Sequence, residues 1–270
     1  MSPPPPPQPQ PAAPAAALPP LCPVLDPPWL DCDLGAPIRV LSWALNRPGL
    51  VTARRVVWRQ VRDADLTADL DARRWLRGEL AARGAADAVA LLTSRDVGRF
   101  ALARAEVAGA VAEAVATVGL SNAEAVGQRL QHPGGAAPKS GAVPGRTPYR
   151  GTINLCLRLA PPPGASGLSD AALTEALSVA VQARTRAVIA AGIALPGGAV
   201  ATGSGTDCVV VAAPPGDLDY AGLHTALGEA TGAAVLAAMR RGLADWRRDA
   251  GHRLPPGAHW TAGPDLGEGE

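Results

Sequence analysis

The chain has 270 residues, and 47% of them are apolar, enough for a sizeable core in one large domain or two small ones. Its 25 basic and 24 acidic residues nearly cancel, so composition gives no electrostatic case for nucleic acid or an anionic membrane. Aromatic residues make up only 3%, so the core has to be built from Ala, Val and Leu.

Ser2 to Pro20 is almost all Pro, Ala and Gln. Such a segment buries too little apolar surface to order itself, and residues 1–36 are expected as a disordered tail and lead-in. No basic n-region and continuous apolar h-region opens the chain, and no stretch approaches the roughly 18 apolar residues of a membrane span. The expectation is a cytoplasmic protein with no membrane span.

Ile38 to Ala44 reads as a first strand, Asn46-Arg47-Pro48-Gly49 as a turn, and Arg54 to Val61 as a second strand paired with the first. Asp69 to Arg83 carries a helical stripe of Leu70, Trp75 or Leu76, and Leu80, with Gly84 as its stop. Ala88 to Thr93 is a short buried strand. Phe100 to Val107 and Val111 to Val118 fit an antiparallel pair around Gly109, although their alanines leave helix and strand both open. Gly119-Leu120-Ser121-Asn122 is a polar corner. Gln128 to Arg150 has no periodicity and is expected as a lid or a mobile insert.

Gly151 to Leu159 reads as a strand with Thr152 and Asn154 on one face. Ser169 to Ala191 is a helix with Ser169 as N-cap, Asp170 in its first turn and Gly192 as its end. Ala201-Thr202-Gly203-Ser204-Gly205-Thr206-Asp207 then runs into a buried strand at Val209 to Val211. That loop is either a turn capping its own backbone or the mouth of a site. Asp219 can cap a last helix reaching about Arg248, with Leu223, Leu227, Val235, Met239, Leu243 and Trp246 on its buried side. Residues 251–270 are expected as a flexible tail. The pattern is α/β (or α+β): one domain over 37–250, a mixed sheet with three long helices packed on it.

The four cysteines (Cys22, Cys32, Cys156, Cys208) and four histidines fit no ligand spacing, so no structural metal is expected, while a catalytic metal assembled from distant residues stays open; no cofactor is expected. No Gly-x-x-x-x-Gly-Lys occurs, and the Gly203-Ser204-Gly205 turn leads into a strand rather than a phosphate-binding helix N-terminus.

Four segments in order carry a resemblance: Thr117-Val118-Gly119-Leu120-Ser121-Asn122-Ala123, Gly151-Thr152-Ile153-Asn154, Ala201 to Asp207, and Gly222-Leu223-His224-Thr225-Ala226-Leu227-Gly228-Glu229. Together they resemble the adenosylcobinamide amidohydrolase family of cobamide salvage, over about Pro37 to Trp246. The resemblance implies hydrolysis of the amide that joins the aminopropanol arm to the corrin ring. Adenosylcobinamide would be the substrate, and adenosylcobyric acid and 1-amino-2-propanol the products. Departures from the family pattern at Trp58, where an Asn is expected, and Gln182, where an acidic residue is expected, keep two alternatives open. One is a corrinoid-binding protein without hydrolysis, and the other is an amidohydrolase for a different amide.

Amide hydrolysis needs an attacking oxygen, a base, donors for the oxyanion and an acid for the amine. His224, near the start of the last helix, is a candidate base or acid facing the Gly203–Asp207 loop, and Asp207 either orients it or activates water. Thr206, Ser204 and Thr152 are candidate nucleophiles or substrate contacts. Asn122, Asn154, Thr202 and Glu229 complete the candidate binding set. A self-cleaving hydrolase using Thr152 or Thr206 stays open on residue chemistry alone, and so does a homo-oligomer.

Overall fold

The structure is a computed structural model and describes residues 19–62, 65, 70–128 and 151–261. In its first half, β1 (Val24–Asp26), β2 (Trp29–Ser42) and β3 (Gly49–Gln60) lead to α1 (Ala72–Ala82) and β4 (Val89–Thr93). The hairpin of β5 (Ala101–Val107) and β6 (Ala110–Val118) and the short β7 (Ala123–Glu124) follow. The second half holds β8 (Ile153–Ala160), α2 (Asp170–Ala190), β9 (Ile193–Ala194), β10 (Gly203–Ser204), β11 (Cys208–Ala213), α3 (Ala226–Ala250) and β12 (His259–Trp260). Of the expected tail over 1–36, residues 1–18 lie outside the described residues, as do 129–150 of the expected lid, whereas Leu21 to Ala36 is no disordered lead-in, because it holds β1 and the start of β2.

Eight strands form one mixed sheet in the order β4-β3-β2-β11-β8-β6-β5, with β1 paired to β2. β8 and β11 run parallel and are joined by the α2 crossover, while β3 and β4 run parallel across α1. The other neighbours are antiparallel, including the central pair β2–β11. This is the expected single-domain α/β architecture with three helices.

All three helices cover the same face. Alanines and valines of β6, β8 and β11 (Ala114, Ala116, Leu155, Leu157, Val209, Val211) meet Leu173, Ala176 and Ala180 of α2 and Ala234, Ala238 and Met239 of α3. Small side chains on both sides let the backbones approach closely. At Gly242 of α3 an added Cβ would lie 2.6 Å from Val118. α1 covers Val57 and Ala90 on this face with Leu76 and Leu80.

No α-helix of the described residues covers the other face, only the single turn of 3-10 helix at Val97–Arg99, yet its side chains are buried. The sheet curls around them. β2 carries the bend: its register with β3 shifts between Asp33 and Ile38, and Gly35 there has φ +88°. A hydrogen bond from Asn154 Nδ2 of β8 to Leu92 O of β4 (2.7 Å) spans strands that are far apart in the sheet order. Only a curled sheet brings them together. Leu30, Cys32, Val40, Trp58, Leu91, Val115, Cys156 and Val210 fill the inside. A buried ion pair sits at one end of it. Arg158 Nε donates to Glu113 Oε2 (2.9 Å) and Nη1 to Leu34 O (3.1 Å), while Nη2 reaches Pro19 O (2.5 Å) and Glu113 Oε1 accepts from Leu21 N (2.8 Å).

Several elements differ from the sequence expectation; the second strand starts at Gly49 rather than Arg54, and the first helix at Ala72 rather than Asp69, with Asp71 as its N-cap. The first strand starts at Trp29 rather than Ile38, because Leu30, Cys32 and Leu34 alternate inward with Asp31 and Asp33. Those aspartates face outward to Arg55 and Arg54, so their charge does not oppose strand formation. The last helix starts later than Asp219, because Thr225 is its N-cap, its hydroxyl accepting from Gly228 N (2.9 Å). Leu223 therefore lies outside the helix and is exposed rather than buried. Beyond Gly251 the chain is no loose tail as far as residue 261: β12 pairs with β9, and Trp260 packs on Trp246 at 5.9 Å between ring centroids.

Candidate active site

Three turns converge at one end of the sheet. They are the corner after β6 (119–128), the residues leading into β8 (151–152) and the loop before β11 (202–207). β7 and β10 pair two of them, with Ser204 opposite Ala123 and Gly203 opposite Glu124. Parallel β8 and β11 put their N-terminal ends side by side, so the polar residues just before each strand meet here.

The hydroxyls staple these turns together. Thr152 Oγ1 donates to Thr206 O (2.8 Å), and Thr206 Oγ1 donates to Gly151 O (2.8 Å) and accepts from Asn122 Nδ2 (3.3 Å). Thr202 Oγ1 accepts from Val126 N (2.8 Å). An added Cβ at Gly151 would lie 2.6 Å from Ser121 N, which explains a glycine at this crossing.

Asp207 is the knot. Its Oδ1 accepts from Ile153 N (3.2 Å) and from the Ser204 hydroxyl, and its Oδ2 accepts from Arg184 Nη1 of α2 (2.6 Å). The Asp207 and Arg184 side chains are only 7% and 11% exposed. Burial raises the Asp207 carboxyl above its usual pKa, and the Arg184 charge opposes that rise. Gly203 leaves room for the pair, since a Cβ there would strike Arg184 Nη1. The Trp43 indole N–H donates to Asp207 O (2.7 Å) and closes the rim from β2's end.

Seven of the nine sequence candidates gather here: Asn122, Thr152, Asn154, Thr202, Ser204, Thr206 and Asp207. Asn122, Thr152 and Asn154 are buried, and Thr206 is exposed. His224 and Glu229 are not among them. Gly242, which packs against Val118 beside this cluster, is sixteen residues along α3 from Ala226. At 1.5 Å per residue the start of α3 lies about 24 Å away. Along α2 the two regions are again apart: its Glu175 accepts from Ala221 N (2.8 Å), while its Arg184, nine residues or about 13 Å further along the helix, holds Asp207. His224 therefore does not face the Asp207 loop within one chain. His224 and Glu229 are both exposed. The Thr225 hydroxyl is occupied as the helix cap and is not free to pair with the Glu229 side chain.

Sequence reasoning passed over Arg184 and Trp43 as site residues. The signal for Arg184 was its place on the apolar stripe of α2, between buried Ala183 and Ala187. A charge on such a stripe needs a buried partner. Gln182, by contrast, is exposed and donates to Ser178 Oγ (3.2 Å), away from the cluster.

Cys208 begins β11 beside the cluster, but burial pushes its thiol up to about 12, so it is no ready nucleophile at neutral pH. Among the described residues no three His, Cys, Asp or Glu side chains gather in a metal-binding group. No helix among the described residues is long and apolar enough to cross a membrane.

Ser204 Oγ is the one candidate hydroxyl that donates to a carboxylate; Thr152 and Thr206 donate to backbone carbonyls. A hydroxyl on a buried carboxylate, with amide side chains alongside, is an arrangement suited to acyl transfer. A comparison with curated proteins finds no match. The family model described as adenosylcobinamide amidohydrolase matches residues 25–251, which takes in the whole curled sheet, the three turns and α3. The chain belongs to the adenosylcobinamide amidohydrolase family, whose members hydrolyse the cobinamide amide bond in cobamide salvage.

Proposed function

We propose that this chain hydrolyses adenosylcobinamide to adenosylcobyric acid and 1-amino-2-propanol in the cytoplasm, and that the three-turn cluster around Asp207 is where it does so. The family match across residues 25–251 carries this reading. The cluster's chemistry supports the location. Ser204 Oγ attacks the amide carbonyl carbon and its proton passes to Asp207, the carboxylate that its hydroxyl already faces and whose proton affinity burial raises. The proton then moves to the departing aminopropanol nitrogen. Water hydrolyses the resulting ester, releases the corrinoid acid and restores the serine. Arg184 holds the Asp207 carboxylate in place throughout. Thr206 and Asn122, at the rim, contact the substrate.

The test is incubation of the purified chain with adenosylcobinamide, with aminopropanol release followed by mass spectrometry. Ser204→Ala and Asp207→Asn are each expected to lower kcat at least hundredfold. His224→Ala is expected to stay within twofold. Product from the wild type, with loss of activity in His224→Ala alone, would move the site to the α3 end. Corrinoid binding without product would replace the hydrolase with a binding protein.

A further inference from the structure

The inside of the curled sheet is apolar along most of its length, but not at the end beneath the three turns. Thr117 of β6 and Asn154 of β8 are direct cross-strand partners there. Both point inward, since Val115 and Cys156, two residues along the same strands, belong to the interior cluster. Thr117 is fully buried and Asn154 is 1% exposed. Thr117 Oγ1 and Asn154 Oδ1 have no hydrogen-bond partner among the described residues. Buried polar atoms are almost always paired, so two orphans side by side call for a reason.

The orientation of Asn154 is fixed by chemistry. Its Nδ2 donates to Leu92 O (2.7 Å), a carbonyl that can only accept, so Oδ1 must face the other way, as a pure acceptor. The neighbouring Thr117 hydroxyl can donate. Acceptor and donor side by side complement one group in particular: a carboxamide, with its N–H to Asn154 and its C=O to Thr117. A carboxylate has no proton to give Asn154 Oδ1.

We infer that Thr117 and Asn154 together take a carboxamide of the corrinoid substrate, at the inner edge of the site described above. This rests on the proposed function, and it adds a recognition point for the amide groups that rim the ring. Leu92 lies one residue before the end of β4, its carbonyl on Asn154, and Arg95, in the turn that follows, is tied to Asp249 of α3 (3.0 Å). That turn lifts to admit the amide.

Thr117→Val removes the hydroxyl and keeps the shape. Its melting temperature is expected to equal or exceed that of the wild type, because the hydroxyl bonds to nothing among the described residues. Its affinity for adenosylcobinamide, read from the corrinoid absorption spectrum, is expected to fall about tenfold, and Thr117→Ser is expected to restore it. Unchanged affinity in Thr117→Val overturns the inference. So does a drop in melting temperature that accompanies the loss of affinity, since the hydroxyl would then serve the fold. Because binding is read apart from turnover, a wild type that binds without hydrolysing sinks the hydrolase reading and leaves this test intact. A wild type that does neither overturns both.

Discussion

The Arg158–Glu113 pair and the Arg184–Asp207 pair hold opposite ends of β8. Both are buried and both join distant parts of the chain, yet they are finished differently. At the Arg158 end, all three guanidinium nitrogens and both Glu113 oxygens are engaged, and the pair fastens Pro19, Leu21 and Leu34 to the sheet. At the Arg184 end, Arg184 Nε, Asn122 Oδ1, Asn154 Oδ1 and Thr117 Oγ1 have no partner among the described residues. The comparison separates two uses of buried polarity. Where it serves the fold alone, the bonding is complete. At the proposed site, bonding capacity is left over.

The sharpest way to break this contrast is to remove each pair in turn. Arg158→Met and Arg184→Met should each lower the unfolding free energy by about 3–5 kcal/mol in urea titrations, because each leaves a carboxylate buried alone. Adding Glu113→Gln to the first and Asp207→Asn to the second should recover most of that loss. The Arg158/Glu113 double variant should then keep kcat within twofold, and the Arg184/Asp207 double variant should lose it. Equal activity in the two would erase the distinction.

A gentler intervention acts through space rather than charge. Gly203→Ala drives a Cβ into Arg184 and should cost about 1–3 kcal/mol, along with activity. Gly232→Ala on α3 meets nothing within 4 Å and should stabilise the chain by about 0.5–1 kcal/mol, both read by thermal unfolding.

The smallest effect concerns the turn above Asn154. Its ties to Asp249 hold that carboxyl below its ordinary pKa, chiefly through the Arg95 hydrogen bond. A carboxyl lowered in the folded state stabilises above its unfolded pKa, and that contribution fades as pH falls through the folded value. Hydrogen exchange at residues 94–99 should therefore quicken below about pH 4. Exchange around Pro19 to Leu34 should change less over the same range.

Much of the fold was legible because its signals are local. Ser169 caps α2 as its sequence suggests, and the Gly109 hairpin resolves into strands despite its alanines. The curl was not legible. It depends on a register shift in β2, whose first half looked like a lead-in because Asp and Pro mask the alternation of Leu30, Cys32 and Leu34. The polar loop before β11 announced itself through its hydroxyls and glycines. Its buried partner did not, because Arg184 lies on a different element and only the crossover brings the two together. His224 fell away for the same kind of reason: a helix of 25 residues carries its two ends far apart, whatever motif sits at its start.

The central pairing of β2 with β11 has a consequence for synthesis. Ser42 lies opposite Val210, so one edge of an early strand waits for a partner made about 170 residues later. On the ribosome, the β2–β3 hairpin emerges with that edge open and with Val40 and Ile38 unsheltered. Closing so long a loop is slow, and open apolar edges are where growing chains stick to one another. Yield in cells should therefore depend more on chaperone capacity and growth temperature than the stability of the finished sheet would suggest.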